Sequence, residues 1–481
     1  MMKCKTIILI LMFVLSVFLV SAQGMRVEPG TNIKVESGST LDLSTGNLIL
    51  ESDATGDASL IDLGVVEYNA GGQANVQRYL TEGKWHLISA PISDALSGIF
   101  VGQYLRPYIE STNLWGDYII PLTTALPTGV GFVCWPVTSQ AYTFTGTLNT
   151  GTVSPGLAWS SATRGNNLVG NPYPSAIDWN ASSGWTKTNL GLSIWVWNPN
   201  GNYAVWDGTN TTNGGSRYIA VGQGFFVQAT SASPALSMDN NVRVHSTQGF
   251  LKNSDPENAL KLHIENSRGS DEIVVCFNPS SSWTYNPNID SRKMFGDAVA
   301  PQLFSFKPGD AEGLSINVLP EIKNPLVVPV SLEVGLNGQY SITASQMESF
   351  PANVSLYLED LKLGKVQDLR VTPGYTFAAD TNDIAHRFNL HFSNFPFGIP
   401  GTANDNTFQI YSYEQTIYVK STTVLNKDAR IYVYDALGRT LYQSAFSVIS
   451  LNKFDLNLSH GYYIVKVLAN SGVYTQKVFI D

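Results

Sequence analysis

The sequence has 481 residues, of which 14% are charged and 11% are aromatic, with 41 glycines and only three cysteines. Outside residues 1–23 it holds 27 basic and 38 acidic side chains, a net charge of −11. Such an acidic chain lacks the basic stripe that nucleic acid or an anionic membrane surface requires, so neither is an expected partner. Cys134 and Cys276 are too few for a disulfide framework, and each lies in an apolar run that predicts a buried thiol.

The N-terminus has the pattern of a Sec-type signal peptide. Lys3 and Lys5 precede a predominantly apolar run from Ile7 to Val20, and small residues follow that run. Roughly fourteen apolar residues are too few to span a bilayer comfortably. Residues 1–23 are therefore predicted to be a signal peptide that is cleaved near Ala22 and Gln23, and no transmembrane segment is expected after its removal.

Residues 25–75 contain apolar pairs separated by polar turns. The first pairs, such as Ile33 with Val35 and Leu41 with Leu43, recur about every seven to eight residues. This spacing is typical of the rungs of a β-roll or β-helix, in which each rung buries its apolar pair against the next. A plain β-meander is the alternative.

Residues 76–250 predict a β-rich domain with a weak internal duplication. An apolar strand runs into a proline turn at 85–91 and again at 167–172, and a Gly-x-Gly-Phe stretch follows each copy, at 129–133 and 222–227. Both Gly-x-Gly stretches precede strands and not helices, which argues against a dinucleotide-binding loop.

Residues 257–395 alternate between apolar and polar side chains. Leu260, Leu262 and Ile264 oppose polar neighbours that include His263. This period of two predicts antiparallel sheets packed face to face as a β-sandwich, with His263 and His391 on the polar, solvent-facing side. Residues 396–406 are rich in Pro and Gly and predict a linker that leads into a last domain at 407–481.

Five of the ten tryptophans fall between Trp179 and Trp206, and they are the candidate ligand-binding residues. Trp195 and Trp197 share one side of a predicted strand, and such rings could stack on sugars. Aromatic side chains also fill β-cores, and the packed-core interpretation is favoured. The candidate binding residues are Trp179, Trp195, Trp197 and Trp206.

Asp178 and Asp207, with Asn180 and Asn210 beside them, offer oxygen ligands for a weak calcium site, although Asx turns are the favoured interpretation. No catalytic residue, cofactor or other metal is predicted. A Gly-x-Ser-x-Gly elbow does not occur, and no cysteine is placed beside a histidine as a cysteine protease would need.

Three blocks near the C-terminus carry a family resemblance. They are Val433–Arg439, Gly461–Val467 and Thr475–Ile480, and their order and spacing resemble the type A sorting domain of type IX secretion substrates in Bacteroidota. The residues that match the family pattern are Asp435, Gly438, Arg439, Gly461, Tyr463, Val465, Lys477 and Val478. The stretch Phe408–Tyr413 stands where many members have a Tyr-Pro-Asn-Pro turn.

This resemblance implies a small seven-stranded, Ig-like sandwich. It implies two partners, the Sec translocon and the type IX outer-membrane secretion machinery. Sorting domains of this kind are usually removed as the cargo is released or attached to surface lipopolysaccharide. The segment Asn167–Trp179 and the stretch Gly222–Val227 also resemble a motif of adhesin-like Bacteroidota surface proteins.

The sequence thus predicts an all-β chain of several β-sandwich modules in series, with a β-roll or β-helix-like start and a sorting domain at the end. The expected function is that of a non-catalytic surface or extracellular protein with a structural or adhesive role. One alternative is a carbohydrate-binding protein that uses the Trp179–Trp206 cluster. A second alternative is a secreted hydrolase without a recognisable motif. Surface lipopolysaccharide and glycans are the candidate external partners.

Overall fold

The computed structural model describes residues 24–43, 46–246, 258–323, 326–394, 408–421, 428–469 and 472–480. The predicted signal peptide and the predicted linker at 396–406 lie outside the described residues. Within the described ranges the regular structure consists of β-strands and four single-turn 3-10 helices, Asn69–Gly71, Ser97–Phe100, Asn240–Val242 and Met347–Ser349. The predicted all-β fold class is confirmed.

The first unit, residues 25–67, is a short coil of parallel strands. Its strands are β1 (Met25–Val27), β2 (Asn32–Val35), β3 (Thr40–Asp42), β4 (Leu48–Leu50), β5 (Ser52–Asp53), β6 (Gly56–Asp57), β7 (Ser59–Asp62) and β8 (Val65–Glu67). β1 pairs with β4, β2 with β7 and β3 with β8, each in parallel. Successive turns of the chain therefore stack as β-helix rungs, and Leu48, Leu50 and Leu60 fill the space between them.

The central unit, residues 74–244, contains seventeen strands. They are β9 (Ala74–Leu80), β10 (His86–Ser89), β11 (Tyr104–Arg106), β12 (Tyr108–Ile109), β13 (Leu114–Trp115), β14 (Gly131–Trp135), β15 (Gln140–Gly146), β16 (Asn166–Gly170), β17 (Ala176–Asp178), β18 (Trp185–Thr188), β19 (Leu190–Trp197), β20 (Tyr203–Trp206), β21 (Thr211–Thr212), β22 (Tyr218–Ile219), β23 (Gly224–Ala229), β24 (Ala235–Met238) and β25 (Arg243–Val244). β9 continues the coil by pairing in parallel with β4, and it pairs antiparallel with β15.

The two copies of the duplicated pattern form equivalent strand pairs. β10 pairs antiparallel with β14, and β16 pairs antiparallel with β23. The copies also exchange equivalent backbone hydrogen bonds, since Ser89 N–H donates to Gly222 O and Gly170 N–H donates to Gly129 O, both at 2.9 Å. Asn149 ties the two proline turns together by donating its side-chain amide to Ala90 O and Pro172 O.

The third unit, residues 259–394, is one sheet of eleven strands. They are β26 (Ala259–Glu265), β27 (Ser270–Phe277), β28 (Ser291–Arg292), β29 (Gln302–Ser305), β30 (Leu314–Leu319), β31 (Leu326–Glu333), β32 (Gly338–Ser345), β33 (Val354–Asp360), β34 (Lys365–Asp368), β35 (Gly374–Ala379) and β36 (His386–Asn394). β35 is at one end of the strand order and β36 is near the other, yet Phe377 and Phe388 of these two strands are in contact, with ring centroids 5.1 Å apart.

The sheet therefore folds over onto itself as two layers around a shared core. The sequence pattern predicted antiparallel sheets packed face to face, and in the structure the two layers belong to one continuous sheet that includes a parallel pair, β27 with β30. Alternation specifies which side of each strand is buried, and it does not specify whether the edges of two layers are joined.

The sorting unit, residues 408–480, has seven strands in two sheets. They are β37 (Phe408–Tyr413), β38 (Thr416–Ser421), β39 (Asp428–Tyr434), β40 (Thr440–Ser447), β41 (Leu451–Asp455), β42 (Gly461–Ala469) and β43 (Gly472–Ile480). One sheet has the order β37-β38-β41 and the other has the order β40-β39-β42-β43. Their facing sides bury Ile417, Val419, Ile431 and Val465 among others, so this unit is the small sandwich that the resemblance implied.

Candidate functional site

The matched residues of the sorting unit form one turn and one strand pair. The Asp435 carboxylate accepts hydrogen bonds from the backbone N–H groups of Leu437 and Arg439, both at 2.9 Å, and from the Arg439 side chain at 2.6 Å. Gly438 occupies the left-handed region with a φ of 78°, where a β-carbon would be strained. The block Val433–Arg439 is therefore a tight turn between β39 and β40 that is closed by its own side chains.

The other two blocks are the adjacent strands β42 and β43. Tyr463 pairs with Val478, and both are buried together with Val465. Gly461 lies at the start of β42, and the ammonium of Lys477 lies over the ring of Tyr462, 3.9 Å from its centroid. These residues hold the last two strands together.

The structure buries three of the four candidate tryptophans, which is the placement that the favoured packed-core interpretation predicts and which removes them as a stacking platform. Trp179, Trp195 and Trp206 are each no more than 3% exposed. Their indole N–H groups donate within the protein, to Leu192 O, Arg292 O and Asn180 Oδ1 respectively. An enclosed ring has no free face for a sugar, and the nearby Trp185 also donates internally, to Asp178 O.

The two aspartates proposed as weak calcium ligands form protein hydrogen bonds. Asp178 is paired with Arg217 and accepts the N–H of Asn180. Asp207 accepts the N–H of Thr209 and both the backbone and side-chain N–H of Asn210. These are Asx turns, and no cluster of three or more metal-ligating side chains occurs in the described part of the chain.

Trp197, the fourth candidate, is half-buried and borders a cleft between the central and third units. The cleft is also lined by Trp85, Trp115, Tyr203 and Phe295, and these five rings define what we call the aromatic cleft. It encloses about 310 Å³, within the range of small-molecule sites. Leu87 and Val133 form its floor.

Packing between rings fixes the shape of the aromatic cleft. Trp197 meets Tyr203 edge to face at 5.1 Å, and Trp85 meets Trp135 edge to face at 5.1 Å. Tyr203 and Trp115 both rest on the buried ring of Phe226. Burial raises the pKa of the Tyr203 phenol, which therefore stays protonated. Phe295 is 52% exposed and forms part of the rim.

The polar groups of the aromatic cleft are few. Arg106 donates to the backbone oxygens of Gly116 at 2.7 Å and Trp115 at 3.2 Å, which holds the backbone at Trp115 in place. The Asp297 carboxylate accepts a hydrogen bond from Val299 N–H at 3.2 Å. In the ranges covered by the structure, no protein partner accepts the indole N–H of Trp85, Trp115 or Trp197.

Sequence reasoning missed Trp85, Trp115 and Phe295. Trp85 begins the first copy of the duplicated pattern, which was a usable signal. The cleft brings together segments near residues 85, 115, 200 and 295, and spacing along the chain cannot predict such a juxtaposition.

The two thiols and the two histidines have defined surroundings. Cys134 and Cys276 are free and buried, as predicted, and burial raises the pKa of Cys134 to about 12. His263 is half-buried beside Glu272, whose hydrogen bond raises the pKa of the imidazole. The prediction that His391 faces solvent is wrong, because the sorting unit covers it and leaves it 3% exposed.

None of the helices that the structure describes is long and apolar enough to cross a membrane.

Two family models match the chain. Residues 11–392 match a domain of unknown function, DUF8693, and residues 413–481 match a secretion system C-terminal sorting domain. No curated protein matches significantly. A solved structure titled "Biofilm associated protein - BSP domain" aligns with 84% of this chain and 92% of its own at 8% identity, and its TM-score of 0.18 is too low to support an argument. The chain belongs to the DUF8693 family and carries a type IX sorting domain, which makes it a Bacteroidota protein exported to the outer surface or the extracellular space.

Proposed function

We propose that the protein is a non-catalytic adhesive protein of the cell surface that binds glycans through the aromatic cleft. The observation that carries this proposal is the preformed cavity itself, which is lined by five aromatic rings, three of them indoles. Sugar rings present apolar C–H faces to aromatic rings and hydroxyl oxygens to N–H donors, so one site satisfies both. Arg106 and Asp297 at the cleft add polar groups that can orient a ligand.

The lining of the cleft also supports a binding role over hydrolysis. Most glycosidases need two carboxyl groups on either side of the bond they cleave. Asp297 is the one carboxylate among the residues that line the cleft. A thiol nucleophile is disfavoured as well, because burial raises the pKa of both described cysteines.

The test is a glycan array with the protein lacking residues 1–23, followed by titration of the best glycan. We expect saturable binding that Trp197→Ala and Trp85→Ala each weaken about tenfold or more, because each removes one ring and one donor. Trp283→Ala is the matched control, since Trp283 is a half-buried tryptophan of the third unit that lies outside the cleft.

Thermal denaturation of each variant checks that it remains folded. A silent array, or equal losses in Trp197→Ala and Trp283→Ala, would contradict binding at this cleft. Release of reducing sugar from a bound glycan at ordinary enzymatic rates would contradict the non-catalytic part of the proposal.

A further inference from the structure

The sorting unit is packed against the third unit through a shared apolar cluster. Val327 and Tyr357 of the third unit contact Tyr411, Tyr418 and Leu451 of the sorting unit, and all five are buried. The rings of Tyr411 and Tyr418 stack on each other with centroids 5.1 Å apart. The interface is therefore an enclosed contact between two folded units.

A buried carboxylate lies at the centre of this interface. Glu359 of β33 has no solvent exposure. Two of its partners belong to its own unit, His391 Nε2 at 2.9 Å and Asn389 Nδ2 at 3.2 Å. The other two belong to the sorting unit, the Tyr418 hydroxyl at 2.9 Å and Lys453 Nζ at 2.8 Å.

The same histidine is held from the sorting unit as well. The Tyr411 hydroxyl lies 3.2 Å from His391 Nδ1, so both ring nitrogens of His391 have a partner. Burial raises the pKa of the Tyr411 and Tyr418 phenols, and both hydroxyls therefore remain protonated. A protonated Tyr418 can donate to Glu359, whereas a phenolate would repel it.

An ionised carboxylate that is removed from water needs partners that neutralise and hydrogen-bond it. If the sorting unit moved away, Glu359 would lose Lys453 and Tyr418, and the apolar cluster would be exposed. Both losses oppose separation of the two units. The polar contacts also fix the orientation of the sorting unit on the third unit, because they form only when these particular side chains meet.

We propose that Glu359, His391, Tyr418 and Lys453 form an interdomain latch that docks the sorting unit on the third unit in one orientation. Cutting the segment between residues 394 and 408 alone then leaves the sorting unit bound. Release requires the latch to open, for example when the secretion machinery binds the sorting unit. This inference is independent of the proposed glycan binding.

The experiment uses the full chain without residues 1–23 and with a specific protease site placed within residues 396–406. After complete cleavage, size-exclusion chromatography at low micromolar concentration should show both fragments in one peak. Dissociation is then timed with a fluorophore on the sorting fragment and an excess of unlabelled fragment. Lys453→Met and Tyr418→Phe should each speed dissociation about tenfold or more.

Lys466→Met is the matched control, because Lys466 lies on β42 in the other sheet of the sorting unit and should leave the rate unchanged. Circular dichroism of the cut proteins confirms that both fragments keep their fold. If Lys453→Met fails to fold, Tyr418→Phe removes a single hydroxyl and still tests the latch. Immediate separation of the wild-type fragments, or equal rates in Tyr418→Phe and Lys466→Met, would overturn the proposal.

Discussion

Seven of the ten tryptophans form two groups that differ in the hydrogen bonding of the indole N–H. Those of Trp179, Trp185, Trp195 and Trp206 donate to protein oxygens, which ties neighbouring segments together. Those of Trp85, Trp115 and Trp197 point at no protein acceptor in the described ranges, and their rings line the aromatic cleft. The first kind of ring is therefore part of the packed core, and the second kind is only partly buried and borders the cavity.

Trp195 and Trp197 lie two residues apart on β19 and should respond differently to truncation. Trp195 is 1% exposed and donates to Arg292 O across the boundary between the central and third units. Trp195→Ala should therefore lower the free energy of unfolding by roughly 3–5 kcal/mol, as for other buried aromatic residues. Trp197→Ala should cost less stability and should lose glycan binding. Urea unfolding of the two variants checks this order, and a larger loss for Trp197→Ala would contradict it.

His391 illustrates what a strand pattern can and cannot predict. Alternation correctly placed Leu390 and Phe392 in the core and His391 on the opposite, polar side of β36. Alternation could not predict that the sorting unit covers that polar side, because the pattern within one strand contains no information about contacts between units. The tryptophan cluster is a second example. The sequence shows that the aromatic rings are close together along the chain, but it does not show which of them the fold buries and which it leaves accessible to a ligand.

At the scale of elements, the parallel coil at residues 25–67 depends on close backbone approach between rungs. Its rungs are short, and the seven-to-eight-residue spacing of their apolar pairs suggested this geometry but also fitted a plain β-meander. Gly72 follows the coil and lies against Leu43, where a β-carbon would approach the Leu43 carbonyl oxygen to 1.7 Å. The backbone there cannot accommodate any side chain without moving.

Gly72→Ala should therefore destabilise the coil, with a cost of roughly 1–3 kcal/mol or more for forcing apart well-packed segments. Gly156→Ala is the control, since a β-carbon at Gly156 meets nothing within 4 Å. Amide hydrogen exchange should show faster exchange in β3 and β8 of Gly72→Ala and no change in Gly156→Ala. Equal protection in the two variants would show that the coil tolerates the added methyl group.

At the scale of the whole molecule, apolar clusters cross all three boundaries between the four consecutive units, and the coil shares one with the central unit. Leu87, Leu168 and Trp195 of the central unit share one cluster with Val274 and Ile316 of the third unit. The third unit in turn shares a cluster with the sorting unit. The sequence predicted a series of modules from their internal patterns, and the contacts between modules became visible only when residues distant in sequence were brought together.

The latch should weaken in acid, and the sign follows from the pKa of Glu359. Burial acts to raise this pKa, but hydrogen bonds and charge from His391 and Lys453 outweigh burial and lower it from 4.5 to about 2. A carboxyl group with a lowered pKa contributes stability that is fully present above its ordinary pKa and is lost as the pH falls toward the folded value. Docking should therefore be constant from neutral pH to about 4.5 and weaken below it.

The groups in contact with Glu359 are His391 and Asn389 from its own unit and Tyr418 and Lys453 from the sorting unit, and the Tyr411 hydroxyl contacts the other side of His391. Dissociation of the cut protein, measured between neutral pH and about pH 3, should accelerate as Glu359 gains a proton and no longer attracts Lys453. Other carboxyl groups titrate over the same range, so Glu359→Gln separates their effects. This variant should dissociate faster than wild type at neutral pH and lose much of the acid dependence, because its side chain is already uncharged. An unchanged pH profile in Glu359→Gln would assign the acid response to carboxyl groups outside the latch.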